Sequence, residues 1–179
     1  MKSGLQRRAF AALSLGLLGA LPLAVALYVH LNSAFVPLPL GHKVPGLVAL
    51  STDGQVFIQD TMGSKKSLLV FFAPACSHCR RELSNLNDLL PRYKDKLNIL
   101  GVSLDDLQST RTTAAELKLK FPVVVAGNEQ PQRAFKVNIL PAFFCIDEKQ
   151  ILRNYFTGEH SVEVDEHLLE DFIFSSSAL

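Results

Sequence analysis

The segment Ser67-Leu-Leu-Val-Phe-Phe-Ala-Pro-Ala-Cys-Ser-His-Cys-Arg-Arg-Glu82 limits the architectures open to this chain more than any other stretch. Leu68 to Phe72 is a continuous apolar run, the pattern of a central strand buried on both faces. It breaks at Pro74, and a C-x-x-C pair, Cys76 and Cys79, follows at once. Beyond it, Cys79, Leu83, Leu86, Leu90 and Tyr93 recur at steps of four, three, four and three, which places them on one face of a helix. A buried strand that runs directly into an amphipathic helix must cover itself with that helix. The segment therefore predicts an α/β unit.

The remaining punctuation extends this unit. Leu47 to Ile58 holds Ser51-Thr-Asp-Gly54 between two apolar stretches, a hairpin signal. Pro91 is expected to kink or end the helix after the dithiol. Asn98 to Val102 reads as a second buried strand, Thr110 to Leu119 as a helix, and Phe121 to Val125 as a short extended segment. Gln130 to Val137 is expected to form a helical turn or two. Ala142 to Ile146 and Ile151 to Thr157 read as paired strands around the turn Asp147–Gln150, and Val164 to Phe174 as a closing helix. Strands alternating with helices, then a hairpin and a terminal helix, argue for a sandwich with a mixed sheet.

The two cysteines form a working dithiol. The first N–H groups of a helix have no intrahelical partner, and the helix dipole adds partial positive charge there. A sulfur at Cys76 sits against those donors, so its thiolate is favoured. His78, when protonated, adds to that charge, and Arg80 and Arg81 follow. Cys79 lies on the apolar face and is the less accessible sulfur. Cys76 is therefore expected to exchange with a substrate sulfur and Cys79 to resolve the mixed disulfide. A zinc site would need a second ligand pair, and the only other cysteine is Cys145, in the apolar run Phe143-Phe-Cys-Ile146. Cys145 reads as a buried small hydrophobe. His160 and His167 read as surface residues, and Asp105-Asp106 as a loop or helix-start pair.

Charge and hydropathy organise the rest. Lys2, Arg7 and Arg8 are the only charged residues among the first 35, and Ala9 to Val29 carries no charge, enough for a helix of about 30 Å. Residues 1–30 are expected to be a signal anchor, or a signal peptide cleaved near Ala26, with the basic flank left in the cytoplasm. Residues 31–43, rich in proline, read as a linker, and residues 44–179 as the folded domain. That domain is expected in the periplasm or an equivalent extracytoplasmic space, tied to the cytoplasmic membrane by a single pass. Setting aside the three N-terminal cations leaves 15 basic against 17 acidic residues. No basic stripe is available for a phosphate backbone, so nucleic acid is not an expected partner.

Taken as an ordered set, these motifs resemble the thioredoxin superfamily, in its membrane-anchored TlpA/ResA-like branch. Val44 to Val56 looks like that branch's opening hairpin, Phe71 to Arg80 its active-site segment, Ala134 to Pro141 the approach to a cis-proline loop, and Phe143 to Asp147 with Gly158 its final hairpin. The resemblance implies a thioredoxin-like three-layer sandwich. It also implies a cis Leu140–Pro141 bond facing the dithiol, with the backbone of Leu140 presented to an extended protein substrate. The implied activity is thiol–disulfide exchange with protein thiols and disulfides. It needs no cofactor or metal, because the sulfurs carry the electrons. A membrane protein that donates electrons is an implied partner. Ala75 departs from the aromatic residue common before the first cysteine. Ser77-His78 resembles the oxidant type while scaffold and anchor resemble the reductant type, so the direction of electron flow stays open. Two other readings use the same cysteines: a metal-binding assembly chaperone, with His78 as an added soft ligand, and a thiol peroxidase.

Overall fold

The computed structural model describes residues 22–28, 38–58, 65–126 and 129–175. The chain divides into two units, Met1–Val36 and Pro37–Leu179. In the first, residues 22–28 are helical. The expected span from Ala9 to Val29 lies mostly outside the described residues, and no described helix is long and apolar enough to cross a membrane.

The second unit contains β1 (Val48–Ser51), β2 (Val56–Ile58), β3 (Lys66–Phe72), α1 (Ser77–Tyr93), β4 (Leu97–Ser103), α2 (Leu107–Glu116), β5 (Val123–Val125), α3 (Glu129–Ala134), β6 (Ala142–Ile146), β7 (Leu152–Thr157) and α4 (Val162–Phe174). One seven-stranded sheet runs β2-β1-β5-β4-β3-β6-β7. Strands β3, β4 and β5 are parallel, and the β1–β2, β1–β5, β3–β6 and β6–β7 pairs are antiparallel. This is the mixed sheet expected from the sequence. The hairpin forms at the expected turn, with Gly54 at a φ of 88°, a left-handed value that glycine adopts without cost.

Alternation along β3 builds two cores. Leu68, Val70 and Phe72 face Cys79, Leu83, Leu86 and Leu89 of α1 and Leu169 and Phe172 of α4; Ala114, Leu117 and Leu119, on and after α2, pack against the same cluster. Leu69 and Phe71 face the other way, onto Phe135, Val137, Phe144 and the incoming Val44 and Leu47. The rings of Phe71, Phe135 and Phe144 meet at centroid distances of 5.1 to 5.4 Å. Gly101 of β4 is small for a packing reason: a Cβ there would lie 3.3 Å from both the Phe72 ring and Val123. The end of the expected linker is tied to this domain, since Gly41 N–H donates to Leu152 O and Leu152 N–H to His42 O.

Several boundaries differ from the sequence expectation by a few residues, and two of them have a clear local cause. Helix α1 continues through Pro91 to Tyr93, and Lys94 N–H still donates to Leu90 O at 2.9 Å. Pro91 stands in the last turn, where its missing N–H removes a single bond. Helix α2 starts at Leu107 rather than Thr110 because Asp106 caps it, accepting from Ser109 N–H at 2.9 Å.

Lys66, the first residue of β3, is buried, and its Nζ donates to the carbonyls of Phe172, Ile173 and Ser175 at 2.8, 3.1 and 2.7 Å. These are carbonyls of the last turn of α4 and just beyond it, which lack intrahelical donors and carry the negative end of the helix dipole. Lys66→Met should lower the unfolding free energy by about 2 kcal/mol, measured by urea denaturation. An unchanged midpoint and slope would show that this cap does not hold α4 down.

Candidate active site

Strand β3 ends at Phe72, and the chain turns through Ala73-Pro74-Ala75 into α1. Cys76 is the N-cap of that helix, with extended backbone angles (φ −80°, ψ 111°). Its Sγ accepts from Cys79 N–H at 3.2 Å, taking the place that a serine or aspartate oxygen fills at other helix starts. Cys76 and Cys79 are joined in a disulfide, with Cα atoms 5.2 Å apart. Cys76 is partly exposed and Cys79 is fully buried. The order of accessibility matches the sequence expectation.

The register of β3 with β6 pairs Phe71 with Ala142, so Pro141 lies at the end of β3 from which the chain continues to Cys76. The Leu140–Pro141 bond is cis. Pro141 is buried, and Leu140 is partly exposed, packed against both cores. The structure thus brings Cys76, His78, Cys79, Leu140 and Pro141 to one end of the sheet.

The His78 ring is exposed, and its Nδ1 contacts Glu159 Oε2 and lies 2.9 Å from Arg81 Nη2. Arg81 grips the same carboxylate with both Nε and Nη2, the latter at 2.6 Å. Arg81 and then His78 hold the Glu159 carboxyl down at about 2. Arg80 points away from this cluster, to Glu116 Oε2 at 2.7 Å and Thr113 Oγ1 at 3.3 Å on α2. Cys145 is fully buried in β6, and burial pushes its thiol up to about 12, so it is the packed hydrophobe that its apolar surroundings implied.

Sequence reasoning missed Glu82. It stands three residues after Cys79 and four before Leu86, a spacing that already placed it on the buried face of α1, and it has no accessible surface. Its Oε1 accepts from His160 N–H at 2.6 Å, while Oε2 has no partner. Asp165 of α4, 2% exposed, lies beside it. His160, expected at the surface, is half-buried against the Phe143 and Phe156 rings at 6.1 and 5.5 Å. Burial, reinforced by the Asp165 carboxylate, pushes Glu82 up to about 8.

Residues 40–155 match the family model described as the AhpC/TSA family. The chain belongs to the AhpC/TSA family. Among curated relatives, the thiol-disulfide oxidoreductase ResA of Geobacillus kaustophilus is 28% identical over 145 residues, 79% of this chain and 83% of the relative. The thiol-disulfide oxidoreductase YkuV of Bacillus subtilis is 28% identical over 112 residues, 59% of this chain and 76% of the relative. Among solved structures, a thiol:disulfide interchange protein DsbE from Chlorobium tepidum superposes with a TM-score of 0.70 at 24% identity, covering 77% of this chain and 97% of that one. The fold is thioredoxin-like, and with its paired cysteines the chain is a thiol–disulfide oxidoreductase.

The Glu82 shift has a fixed sign. A carboxyl whose pKa rises from 4.5 in the unfolded chain to about 8 in the fold holds its proton longer when folded. Raising the pH from about 5 to 8 therefore favours the unfolded chain, and the effect levels off above 8. In chelator-treated buffer the unfolding free energy of the oxidised protein should fall across this window. Glu82→Gln should flatten the fall, read by urea denaturation at half-unit pH steps; an unaltered slope would remove Glu82 as its source.

Proposed function

We propose that this oxidoreductase works outside the cytoplasm, tethered to the membrane by its N-terminal segment, and exchanges disulfides with protein substrates through Cys76. One observation carries the exchange through Cys76: the partly exposed sulfur caps the helix and the fully buried one lies behind it. In the reducing direction, the Cys76 thiolate attacks one sulfur of a substrate disulfide and forms a mixed disulfide, and the other substrate sulfur leaves as a thiolate that takes up a proton. Cys79 then loses its proton and attacks Cys76 Sγ. The substrate leaves with two thiols, and the protein keeps the two-electron oxidation as the Cys76–Cys79 bond. The oxidising direction runs the same steps in reverse. The Cys79 N–H points at Cys76 Sγ in the disulfide state, a donor placed where a Cys76 thiolate would form.

Leu140 and Pro141 form the proposed shelf on which an extended substrate segment docks by backbone pairing beside the sulfurs. A protein that delivers electrons across the membrane is the proposed partner for the reducing direction, since the dithiol regenerates only by passing its disulfide on.

The order of the sulfurs is open to a direct test with insulin as a disulfide-bonded probe. Reduced wild-type protein should cleave its interchain bonds. Cys76→Ser and Cys79→Ser should each slow this by roughly a hundredfold or more. Only Cys79→Ser should leave a dithiothreitol-sensitive covalent adduct on a non-reducing gel. An adduct formed by Cys76→Ser instead, or by neither variant, would overturn the assignment.

The tether rests on the basic flank at Lys2, Arg7 and Arg8 before the uncharged run from Ala9 to Val29. Full-length protein should stay in the membrane pellet after alkaline carbonate extraction, and a chain starting at Asn32 should be released. Release of the full-length chain would refute the anchor.

A further inference from the structure

Glu82, His160 and Asp165 come from three different elements: α1, the loop after β7, and the first turns of α4. Their ligand-capable atoms all lie within 4.8 Å of one another. His160 Nδ1 is 3.6 Å from Asp165 Oδ1. Four polar atoms of this cluster (Glu82 Oε2, His160 Nδ1 and both carboxyl oxygens of Asp165) are buried with no hydrogen-bond partner. Glu82 and Asp165 are 0 and 2% exposed. The Arg81 guanidinium is near enough to feel the Glu82 charge, but its hydrogen bonds go to Glu159.

Such a grouping has a physical cost. Buried polar groups in folded proteins are nearly always paired, and buried charges are neutralised by a partner or a metal. Here the only group already satisfied is Glu82 Oε1, which takes the His160 N–H. The other atoms converge on one another, and an ion bound among them displaces the proton that Glu82 otherwise shares with Asp165. We propose that this cluster is a divalent-cation site, with Glu82, Asp165 and His160 as protein ligands and zinc as the metal that fits them best. Two carboxylates and a neutral imidazole balance a charge of two. An imidazole among the donors selects zinc-like ions over magnesium or calcium, which take oxygen ligands. Zinc bonds to nitrogen and oxygen run about 2.0–2.1 Å, so neighbouring ligand atoms sit about 3.4 Å apart. The His160–Asp165 spacing already meets this, and the wider pairs need to draw in by about an ångström. The Phe143 and Phe156 rings wall the imidazole and limit its motion.

The site is separate from the dithiol. Neither cysteine is a ligand, so the ion should bind while Cys76 and Cys79 are joined. Its function is to pin the loop after β7 and the start of α4 to the helix that carries the active sulfurs.

Zinc chloride, titrated calorimetrically into the full-length oxidised protein, tests this. One ion should bind per chain and raise the melting temperature. Glu82→Gln, His160→Gln and Asp165→Asn should each weaken binding at least tenfold, while His167→Gln leaves it unchanged. Far-ultraviolet circular dichroism keeps a failure to fold from passing as a loss of ligand. Anomalous scattering at the zinc edge supplies a reading that needs no variant, with a peak expected between the three side chains. No binding by the oxidised protein, binding that survives all three substitutions, or a peak elsewhere would overturn the proposal. The insulin assay does not depend on any of these outcomes, so the redox reading and the metal site fail separately.

Discussion

All seven residues of β3 pair with β4 on one edge, five of them, Ser67 to Phe71, pair with β6 on the other, and all seven are buried. No side chain of this strand can slip by one position without exchanging the two cores, since Leu68, Val70 and Phe72 serve one and Leu69 and Phe71 the other. The end of β3 is thereby fixed in space, and so is the turn into α1. Cys76 takes its place as N-cap from that turn, held by Cys76 N–H to Ala73 O at 3.0 Å and Arg80 N–H to Cys76 O at 3.1 Å. At the other end of the strand, Lys66 clamps the last carbonyls of α4. One strand therefore sets both the reactive end of the domain and the position of the helix that closes it.

Much of this was legible because it is local. A continuous apolar run, a four-three spacing and an Asp-Gly turn each carry their own physics, and β3, α1 and the β1–β2 hairpin follow from them. Strand β6 spans the residues its apolar pattern marked, Ala142 to Ile146. The boundaries that differ have local causes: the Asp106 side chain caps α2 ahead of its apolar pattern, and a proline in a final turn removes one bond without stopping the helix. Leu89 rather than Leu90 proved the better-buried residue of that turn of α1.

The Glu82–His160–Asp165 cluster was not legible for a different reason. Glu82 is separated from His160 and Asp165 by a long stretch of chain and meets them only once β7 and α4 have packed onto the sheet. Glu82 carried a signal in its spacing, since it falls on the same face as Cys79 and Leu86. A charged residue on a buried face asks for a partner that sequence alone does not name. His160 carried none: it follows a glycine and a glutamate in a polar loop, and its burial comes from the stacked Phe143 and Phe156 rings beneath it.

That loop draws the site together. Gly158 N–H donates to Pro141 O at 2.9 Å, Glu159 takes Arg81 and contacts His78, His160 N–H donates to Glu82, and Ser161 stands at the N-cap of α4. Four consecutive residues thus touch the proline loop, the first two turns of the dithiol helix and the closing helix. The electrostatic consequence concerns Cys76. The first turn of α1 contains no acidic residue of its own, and the carboxylate that approaches it, Glu159, spends its charge on Arg81 and His78 on the exposed side. Those two cations are then partly offset, while the backbone N–H groups at the helix start are not. On the proposed chemistry, the positive field at the sulfur comes chiefly from the peptide dipoles of α1, which no side-chain substitution removes. The side chains of the x-x pair and the loop then adjust that field, and replacing Glu159 alters it without touching either cysteine.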